Sequence, residues 1–474
     1  MAPVIHWFRR DLRLEDNTAL NHALLSGDPV VPLFVFDDHI LGHRRVGAHR
    51  LRFLVTALRD LDRELREQGS GLLVRRGDAA REVNHLAEQT GAWAVYFNRD
   101  HTPYARQRDT RATRGLQLTG IVTQVFDDLL LVPPYATIGE DGMPPLAHEA
   151  FAERWFAAFD LDPGPVEPPG EGRYLPAAEL GDGGADWAEA LGVDALEPSA
   201  WPGATPASAR ERLRRFTADS LAGYPGDRDR PGDEDRTTRL SAALKLGTIS
   251  VREVARAAIK RGAADPRSRP GAERVVGNLA WRDYAAHLLH GNPMLLREPL
   301  HPDRPAQPAP APDAEARLGA WRTGRTGYPV VDAGMRQLLA EGWVPAGVRE
   351  VAATFLARVL GCDWRLGERH FIENLVDLDL ASNDLGWQRA AGVGPSAAGR
   401  DDGLGVVGYG ERHDPEGAYV RRWVPELAAV PAAHVHRPWA MPPSAQLEAR
   451  CRVGIDYPEP IVSPGGGESD VQPG

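Results

Sequence analysis

The first 130 residues alternate short β-rich runs with amphipathic helical stretches, and this alternation restricts the chain to few folds. Strands separated by helices predict a parallel α/β sheet. The longest intervening helix is predicted at 51–68, where leucines recur every three or four residues. No G-x-G-x-x-G pattern follows a strand, so the sheet serves a ligand other than a typical dinucleotide, or none. The predicted strands are Val4–Phe8, Val30–Phe36, Leu72–Arg75, Ala94–Phe97 and Ile121–Phe126.

The rest of the chain divides into a connector and a helical region. Residues 131–205 are rich in Pro, Gly and acidic groups, which predicts a long connector with short helical pieces. From residue 206 onward the pattern is helical, so we predict domains at 1–130, 131–205 and 206–474. Ser250 and Glu253 predict a capping box before a helix at Val251–Lys260. The six prolines of Pro299–Pro312 predict a loop.

Composition narrows the functional classes. The net charge of -11 disfavours a protein that must surround a polyanion, although a local basic groove can coexist with an acidic body. Cys362 and Cys451 have no metal-ligand spacing and imply no disulfide framework, and we expect no metal. No apolar run approaches the ~18 residues of a membrane span, and no signal peptide is visible. We therefore expect a cytoplasmic protein, monomeric and without membrane contact.

Two polar stretches are candidates for chemistry. The hydroxyls of Thr237, Thr238 and Ser241 precede a helix, where they suit either plain N-capping or a bound phosphate. Asp377-Leu378-Asp379 follows a predicted helix at Glu368–Val376, and carboxylates at a helix C-terminus oppose its dipole. These acids are therefore either solvated or held by a cation or a hydrogen-bond donor.

Several motifs, in order and at similar spacing from residue 3 to about 462, resemble the photolyase/cryptochrome flavoproteins. This resemblance implies an N-terminal Rossmann-like α/β antenna domain, a long connector and a C-terminal all-helical domain that binds FAD. The motifs are the opening Trp7–Asn17, Tyr224, Thr237–Ser241, Trp281-Arg282, Trp321 through Trp343, Asp363-Trp364, Asp377 to Trp387, and Asp414 through Leu427.

The resemblance implies a flavin site with its main positions present. Arg282 would lie beside the cofactor, Asp379 would meet its ribityl and isoalloxazine region, and Asn383 would face the flavin N5. Arg349 would pair with Asp377. The pyrophosphate region would be held by Tyr224, Thr237, Thr238, Arg239, Leu240 and Ser241.

Trp387 and Trp364 match the two inner members of the family's electron-relay tryptophans. Ordinary core packing is the alternative interpretation of each. The outer member has no counterpart, because no aromatic residue lies between Tyr284 and Trp321. Either another aromatic residue replaces it, or photoreduction is impaired.

The positions that would contact a DNA lesion depart most from the family pattern. Trp281 remains, but Asn278 stands where dimer-repairing photolyases have Glu, and Ala346-Gly347 replaces an Asn-Arg pair. Glu350 replaces a Met and Arg389 replaces a Trp. The aromatic, arginine-containing segment becomes Gly399–Val406, and residues 395–417 hold two Arg, five acidic residues and six Gly. Stacking surfaces and phosphate contacts must offset the cost of unstacking a flipped base, so we expect weak DNA binding.

Asn98-Arg99-Asp100 and Pro103–Arg106 resemble the antenna segment of bacterial members. A deazaflavin or a folate would bind there, and an empty pocket is the alternative.

Three functional hypotheses follow. The first is a repurposed flavoenzyme whose altered pocket, with Asn278, Glu350 and Arg389, accepts another substrate, such as a small molecule. The second is an atypical light-driven repair enzyme for pyrimidine dimers, and the third is a cryptochrome-like blue-light sensor. Glu350 either acts as an acid or base or pairs with Arg349 or Arg389 and keeps the pocket neutral.

Overall fold

The computed structural model describes residues 2–42, 46–159, 173–180, 187, 191, 201–304, 313–395 and 405–464. The chain forms two compact units. The first comprises Met1–Pro225, Thr238–Met294 and Val376–Ala381, and the second comprises Gly226–Thr237, Leu295–Leu375 and Ser382–Gly474. The domain boundaries predicted at residues 130 and 205 stay a prediction.

A five-stranded parallel sheet forms the N-terminal part of the first unit. Its strands are β1 (Val4–Phe8), β2 (Val30–Asp37), β3 (Leu73–Gly77), β4 (Ala94–Asn98) and β5 (Val122–Phe126). They lie in the order β3-β2-β1-β4-β5. The predicted strands all form, with ends shifted by at most two residues. The central strands β1, β2 and β4 are buried, while β5 is an exposed edge.

The carboxyl ends of β1 and β4 meet where the strand order reverses, the usual ligand crevice of such sheets. Here the chain's own polar groups meet at that edge. The Asn98 amide donates to Asp11 at 2.6 Å and to Asn17 at 2.7 Å, and Arg9 pairs with Asp109 at 2.6 Å. The polar groups of this crevice bond to one another, which is consistent with the absence of the dinucleotide-binding motif from the sequence.

Helices cover the sheet and continue along the first unit. The predicted helix at 51–68 forms as Ala48–Glu67, and it buries Leu58, Leu61 and Leu65 of its leucines. The first unit contains Thr18–Leu25, Asp38–Leu41, Ala48–Glu67, Ala79–Thr90, Pro103–Leu118, His148–Ala158, Ala177–Leu180, Pro206–Arg215, Tyr224–Asp227, Ser241–Leu246, Val251–Ala264 and Arg269–Gly291.

The connector and the loop agree with prediction where they are described. The connector carries the helix His148–Ala158, and its Tyr174 forms an isolated parallel bridge to Val30 of β2. Residues 299–304 lie outside helices and strands, and residues 305–312 of the predicted loop lie outside the described residues.

The capping prediction at residue 250 is half correct. Ser250 caps the helix Val251–Ala264 by accepting from the Arg252 N–H. The reciprocal half of the box was wrong, because Glu253 accepts instead from Arg210 at 2.9 Å.

The second unit is helical and is organised around buried hydrogen bonds. Asp332 accepts from the backbone and hydroxyl of Thr326, both at 2.7 Å, and from Tyr457 at 2.6 Å. Gly327 has φ +80, and its Cα faces the backbone of Glu459 too closely for a side chain. The helices are Ala314–Arg322, Pro329–Glu341, Ala346–Thr354, Trp364–Asn374, Leu380–Ala391, Gly405–His413, Ala418–Trp423 and Pro443–Glu448.

Candidate flavin and substrate site

The helix Arg269–Gly291 places Asn278, Trp281 and Arg282 close together in sequence on one element of the first unit. The Asn278 amide donates to the Tyr224 hydroxyl at 2.9 Å. A residue predicted for the substrate pocket and one predicted for the cofactor are therefore hydrogen-bonded to each other. No sequence pattern predicts this contact, because 54 positions separate the two residues.

Trp281 is half-buried and has a ring neighbour that sequence reasoning missed. The His148 ring meets it edge-on at 4.2 Å, and the Tyr284 ring lies at 5.2 Å. His148 comes from the connector, more than 130 residues away, so periodicity could not reveal the contact. The indole is therefore partly enclosed by its own unit.

Arg282 is half-buried, with 17% of its side chain exposed, and donates to the Leu129 carbonyl at 2.7 Å. Burial lowers the pKa of its guanidinium, and Asp283 opposes this effect from 3.6 Å. Arg282 lines a small cleft with Arg10, Asp100 and Asp379. Two predicted cofactor residues, Arg282 and Asp379, therefore line one cleft together with Arg10 of the opening motif, all within the first unit.

Asp379 has two cationic side chains as partners, one of the alternatives that the sequence left open. It accepts from Arg10 at 3.0 Å and from Lys245 at 3.4 Å, and Arg10 also lies 3.4 Å from Asp100. Burial and the charge of Arg10 lower the pKa of Lys245 to about 8. Asp377 is 7% exposed and faces Arg50, whose pKa burial lowers to about 10.

The helix argument for these acids was wrong in one respect. The preceding helix is Trp364–Asn374 rather than Glu368–Val376, and Leu375 is its C-cap. Asp379 lies directly before the helix Leu380–Ala391, so it occupies an N-terminus, where the dipole favours a carboxylate. The pairing of Arg349 with Asp377 joins residues of two units and stays a prediction.

The Thr237–Ser241 stretch does not cap its helix as the plain structural interpretation predicted. The helix Ser241–Leu246 has Leu240 as its N-cap residue, without a side-chain capping bond. Thr237 donates to the Glu234 carbonyl at 3.3 Å, and Thr238 accepts from the Leu240 N–H at 3.5 Å. Arg239 has φ 47 and places its guanidinium 5.4 Å from the Trp201 ring. The hydroxyls are thus not consumed by capping, and their predicted role at the pyrophosphate stays a prediction.

In the second unit, two residues that depart from the family pattern pair with each other. Glu350 and Arg389 form an ion pair at 3.0 Å, with side chains 15% and 29% exposed. The Arg349 Nε donates to the Val344 carbonyl at 2.7 Å. Of the two interpretations of Glu350, this geometry matches pairing with Arg389.

A further departure, Gly347, makes room for an aromatic residue. A Cβ at this position would overlap the hydroxyl and ring of Tyr409. Tyr409 comes from the helix Gly405–His413, and its hydroxyl donates to the Asp229 carbonyl at 3.1 Å. The space that an arginine would need at 347 is therefore occupied, a contact that the glycine-rich sequence did not reveal.

Trp387 and Trp364 are both 2% exposed. The Trp387 ring lies 5.1 Å from Phe371 and 6.0 Å from Trp321, and the Arg365 guanidinium lies 4.7 Å from the Trp364 ring. Both indoles are thus core residues by packing, and their electron-relay role stays a prediction. Residues 305–312, part of the region expected to hold the outer member, lie outside the described residues.

The amide nitrogen of Asn383, the predicted flavin contact, shows whether the site fits FAD. Asn383 is half-buried, yet its Nδ2 is shielded from water and has no hydrogen-bond partner among the described residues. Such an amide nitrogen is costly unless a ligand accepts from it. The residues present therefore fit FAD at the predicted N5 position.

Among the described residues, no group of three or more His, Cys, Asp or Glu side chains is arranged to hold a metal ion. No helix in this part of the chain is long and apolar enough to cross a membrane.

Comparisons with known proteins match both halves of the chain. Residues 4–170 match the family model described as DNA photolyase, and residues 275–469 match the FAD binding domain of DNA photolyase. The deoxyribodipyrimidine photo-lyase of Streptomyces griseus is 36% identical over 98% of this chain and 96% of its own length.

Solved structures of photolyases are similar to this chain over nearly its whole length. A class III photolyase from Agrobacterium tumefaciens has a TM-score of 0.85 at 32% identity, covering 99% of this chain and 96% of its own. A photolyase from Sulfolobus tokodaii, solved with two FAD molecules, has a TM-score of 0.80 at 30% identity, covering 97% and 96%.

A parallel α/β domain followed by a helical FAD-binding domain defines a photolyase-like flavoenzyme. The chain belongs to the photolyase/cryptochrome family. The predicted fold class and family are confirmed.

Proposed function

We propose that this chain is an FAD-dependent enzyme whose substrate is a small molecule rather than a pyrimidine dimer in DNA. The observation that carries the proposal is the ion pair between Glu350 and Arg389. By the family resemblance, these positions belong to the substrate pocket and hold a Met and a Trp in dimer-repairing members. In this chain an ion pair replaces the apolar and aromatic side chains of that part of the pocket wall.

The replacement changes what the pocket can bind. A flipped base pair is held by stacking on aromatic faces and by contacts to flanking phosphates. An ion pair offers hydrogen bonds but no stacking face, and its carboxylate repels phosphates. A small polar molecule is better suited to such a wall than two stacked pyrimidines are.

Gly347 and Tyr409 support the same conclusion. An arginine at 347 would supply a phosphate contact, but the Tyr409 hydroxyl and ring fill the space beside Gly347. Recovering the contact would require Tyr409 to move and to lose its bond to Asp229. Weak, lesion-independent DNA binding by a monomer is part of this proposal.

FAD would be held by the residues predicted for it, and within the second unit the Asn383 amide offers a donor for the flavin ring. When bound, the flavin supplies electron transfer. The chain's own groups orient it, exclude water and keep the charges near it compensated, as Arg10 and Lys245 do for Asp379.

The proposal extends to a second chromophore in the first unit. Asn98-Arg99-Asp100 and Pro103–Arg106, the segments that resemble the antenna motif, lie at the end of β4 and at the start of the helix Pro103–Leu118. A deazaflavin or a folate is the ligand that this resemblance implies for these segments.

Light-driven dimer repair is the second candidate function. Trp281 is retained as one stacking surface, and the Streptomyces griseus relative is named a deoxyribodipyrimidine photo-lyase. The half-enclosed position of Trp281 beside His148 weighs against this candidate.

A repair assay separates the two functions. The holoprotein with reduced FAD is mixed with an oligonucleotide containing one cyclobutane dimer and illuminated with blue light, and restored thymine absorbance is followed. The Streptomyces griseus relative serves as the active control. We expect no restoration above the illuminated, protein-free sample; multiple turnovers would refute the proposal in favour of repair.

A further inference from the structure

A buried acid in the second unit lies next to the proposed flavin contact. Asp384 follows Asn383 in the helix Leu380–Ala391 and is 2% exposed. Its Oδ2 accepts from the Gln388 Nε2 at 3.0 Å. Its Oδ1 is shielded from water and has no partner among the residues that the structure describes.

The contacts of Gln388 fix which oxygen of Asp384 can hold a proton. The Gln388 Oε1 accepts from the Leu300 N–H at 2.7 Å, and its Nε2 also donates to the Leu295 carbonyl at 3.1 Å. An amide oxygen cannot donate, so the side chain must turn its nitrogen toward Asp384. The Asp384 Oδ2 is therefore an acceptor, and a proton on this acid resides on Oδ1.

The surroundings favour the neutral form of this acid. The neighbouring helix Trp364–Asn374 contributes the carboxylate of Glu368 and the guanidinium of Arg365, and the segment 295–300 contributes backbone groups. Burial, reinforced by Glu368 and opposed by Arg365, raises the pKa of Asp384 to about 8. Arg365 is 44% exposed and lies against the Trp364 ring, so its opposition is screened by solvent.

A purely structural role would not require an acid. An asparagine carbonyl would accept from Gln388 equally well and would leave no ionisable group in the core. What the acid adds is one exchangeable proton, carried by the residue that directly follows the proposed flavin contact Asn383 in sequence. Buried groups with displaced ionisation of this kind concentrate at functional sites.

We propose that Asp384 is the proton store of the flavin site. When FAD is reduced by an external electron donor, such as dithionite in the assay below, the Oδ1–H bond of Asp384 breaks and its proton passes to the reduced flavin, where it balances the negative charge of the added electron. The Asp384 carboxylate that remains is protonated again from solvent. The inference requires FAD at this site but not the substrate change proposed above.

Two measurements on Asp384→Asn test the inference. The first, on protein without FAD, is the infrared carbonyl band of a neutral carboxylic acid at pH 7. We expect this band to titrate away above about pH 8 in the parent chain and to be missing in the variant. The second is the pH dependence of the flavin midpoint potential, which should change slope near the same pH in the parent and show no such break in the variant.

Matched variants complete the design. Glu448→Gln, which changes an exposed acid outside the neighbouring helix, should leave both measurements unchanged. Glu368→Gln removes the carboxylate that faces Asp384, so the infrared titration and the break should move together to lower pH. This second variant also tests the inference if Asp384→Asn does not fold.

Two results would overturn the inference. An infrared band that persists in Asp384→Asn would show that another acid produces it. A band that disappears while the potential profile is unchanged would show a buried acid without any part in flavin protonation. Neither result depends on which substrate the enzyme uses, so the substrate proposal is tested separately.

Discussion

The ion pair between Glu350 and Arg389 yields the most direct test of the altered pocket. Its N–O distance of 3.0 Å is that of a direct ion pair. Exposed pairs contribute about 0.2–1 kcal/mol, whereas removing one partner of a fully buried pair costs about 3–5 kcal/mol. With side chains 15% and 29% exposed, this pair lies between those limits. We expect Glu350→Gln to lower the free energy of unfolding by about 1–2 kcal/mol.

A double-mutant cycle isolates the pair from other effects of the substitutions. Glu350→Gln, Arg389→Gln and the double variant keep the side-chain volumes nearly constant, and we expect a coupling energy of about 1 kcal/mol. For an m-value on the order of 2–3 kcal/mol/M, this coupling corresponds to a urea midpoint difference of about 0.3–0.5 M. A coupling below about 0.3 kcal/mol would refute the argument that the two substitutions form one interacting unit.

Three further predictions concern packing, flavin retention and pH. Gly347→Ala should cost about 1–3 kcal/mol of overpacking against Tyr409, offset by up to about 1 kcal/mol of helix propensity; pairing it with Tyr409→Leu should recover stability, and a cost that the second change leaves intact would contradict the clash. Asp377→Ala should release most of the FAD, because it leaves the half-buried Arg50 without its facing carboxylate; full flavin absorbance after gel filtration would contradict this. The pKa of Lys245, lowered to about 8, lies below the ordinary value of about 10.4, so the folded chain binds fewer protons in this window and stability should rise with pH across it. Lys245→Met should flatten that rise in urea midpoints measured between pH 8 and 10, and an unchanged rise would exclude Lys245 as its source.

Local patterns predicted the architecture well. Short β-branched runs such as Val4–Phe8 and Val30–Asp37 formed buried parallel strands because burial on both faces requires continuous apolar residues. Hydrogen bonds that join distant residues were not predicted. Asn278 and Tyr224, or His148 and Trp281, meet only after the chain has folded, and no periodicity encodes such contacts.

Within the site, the sequence left the surroundings of Asp379 open, as either solvent or a cation or hydrogen-bond donor. The structure places Arg10 and Lys245 beside it. The capping role of the Thr237–Ser241 stretch was wrong, because the residue before the first helical turn is Leu240. Asp384 was missed altogether, since a single acid in an amphipathic helix is normally solvated and its burial depends on a neighbouring helix.

The central claim, a pocket turned away from DNA lesions, is tested most directly by comparing two affinities. The holoprotein is titrated at physiological salt against one oligonucleotide with a cyclobutane dimer and the same oligonucleotide without it, with the Streptomyces griseus relative as a control. The account predicts dissociation constants in the non-specific range of about 10⁻⁶ M or weaker, and a ratio between the two strands within about threefold. Nanomolar binding of the dimer-containing strand with strong preference over the undamaged one would contradict the account.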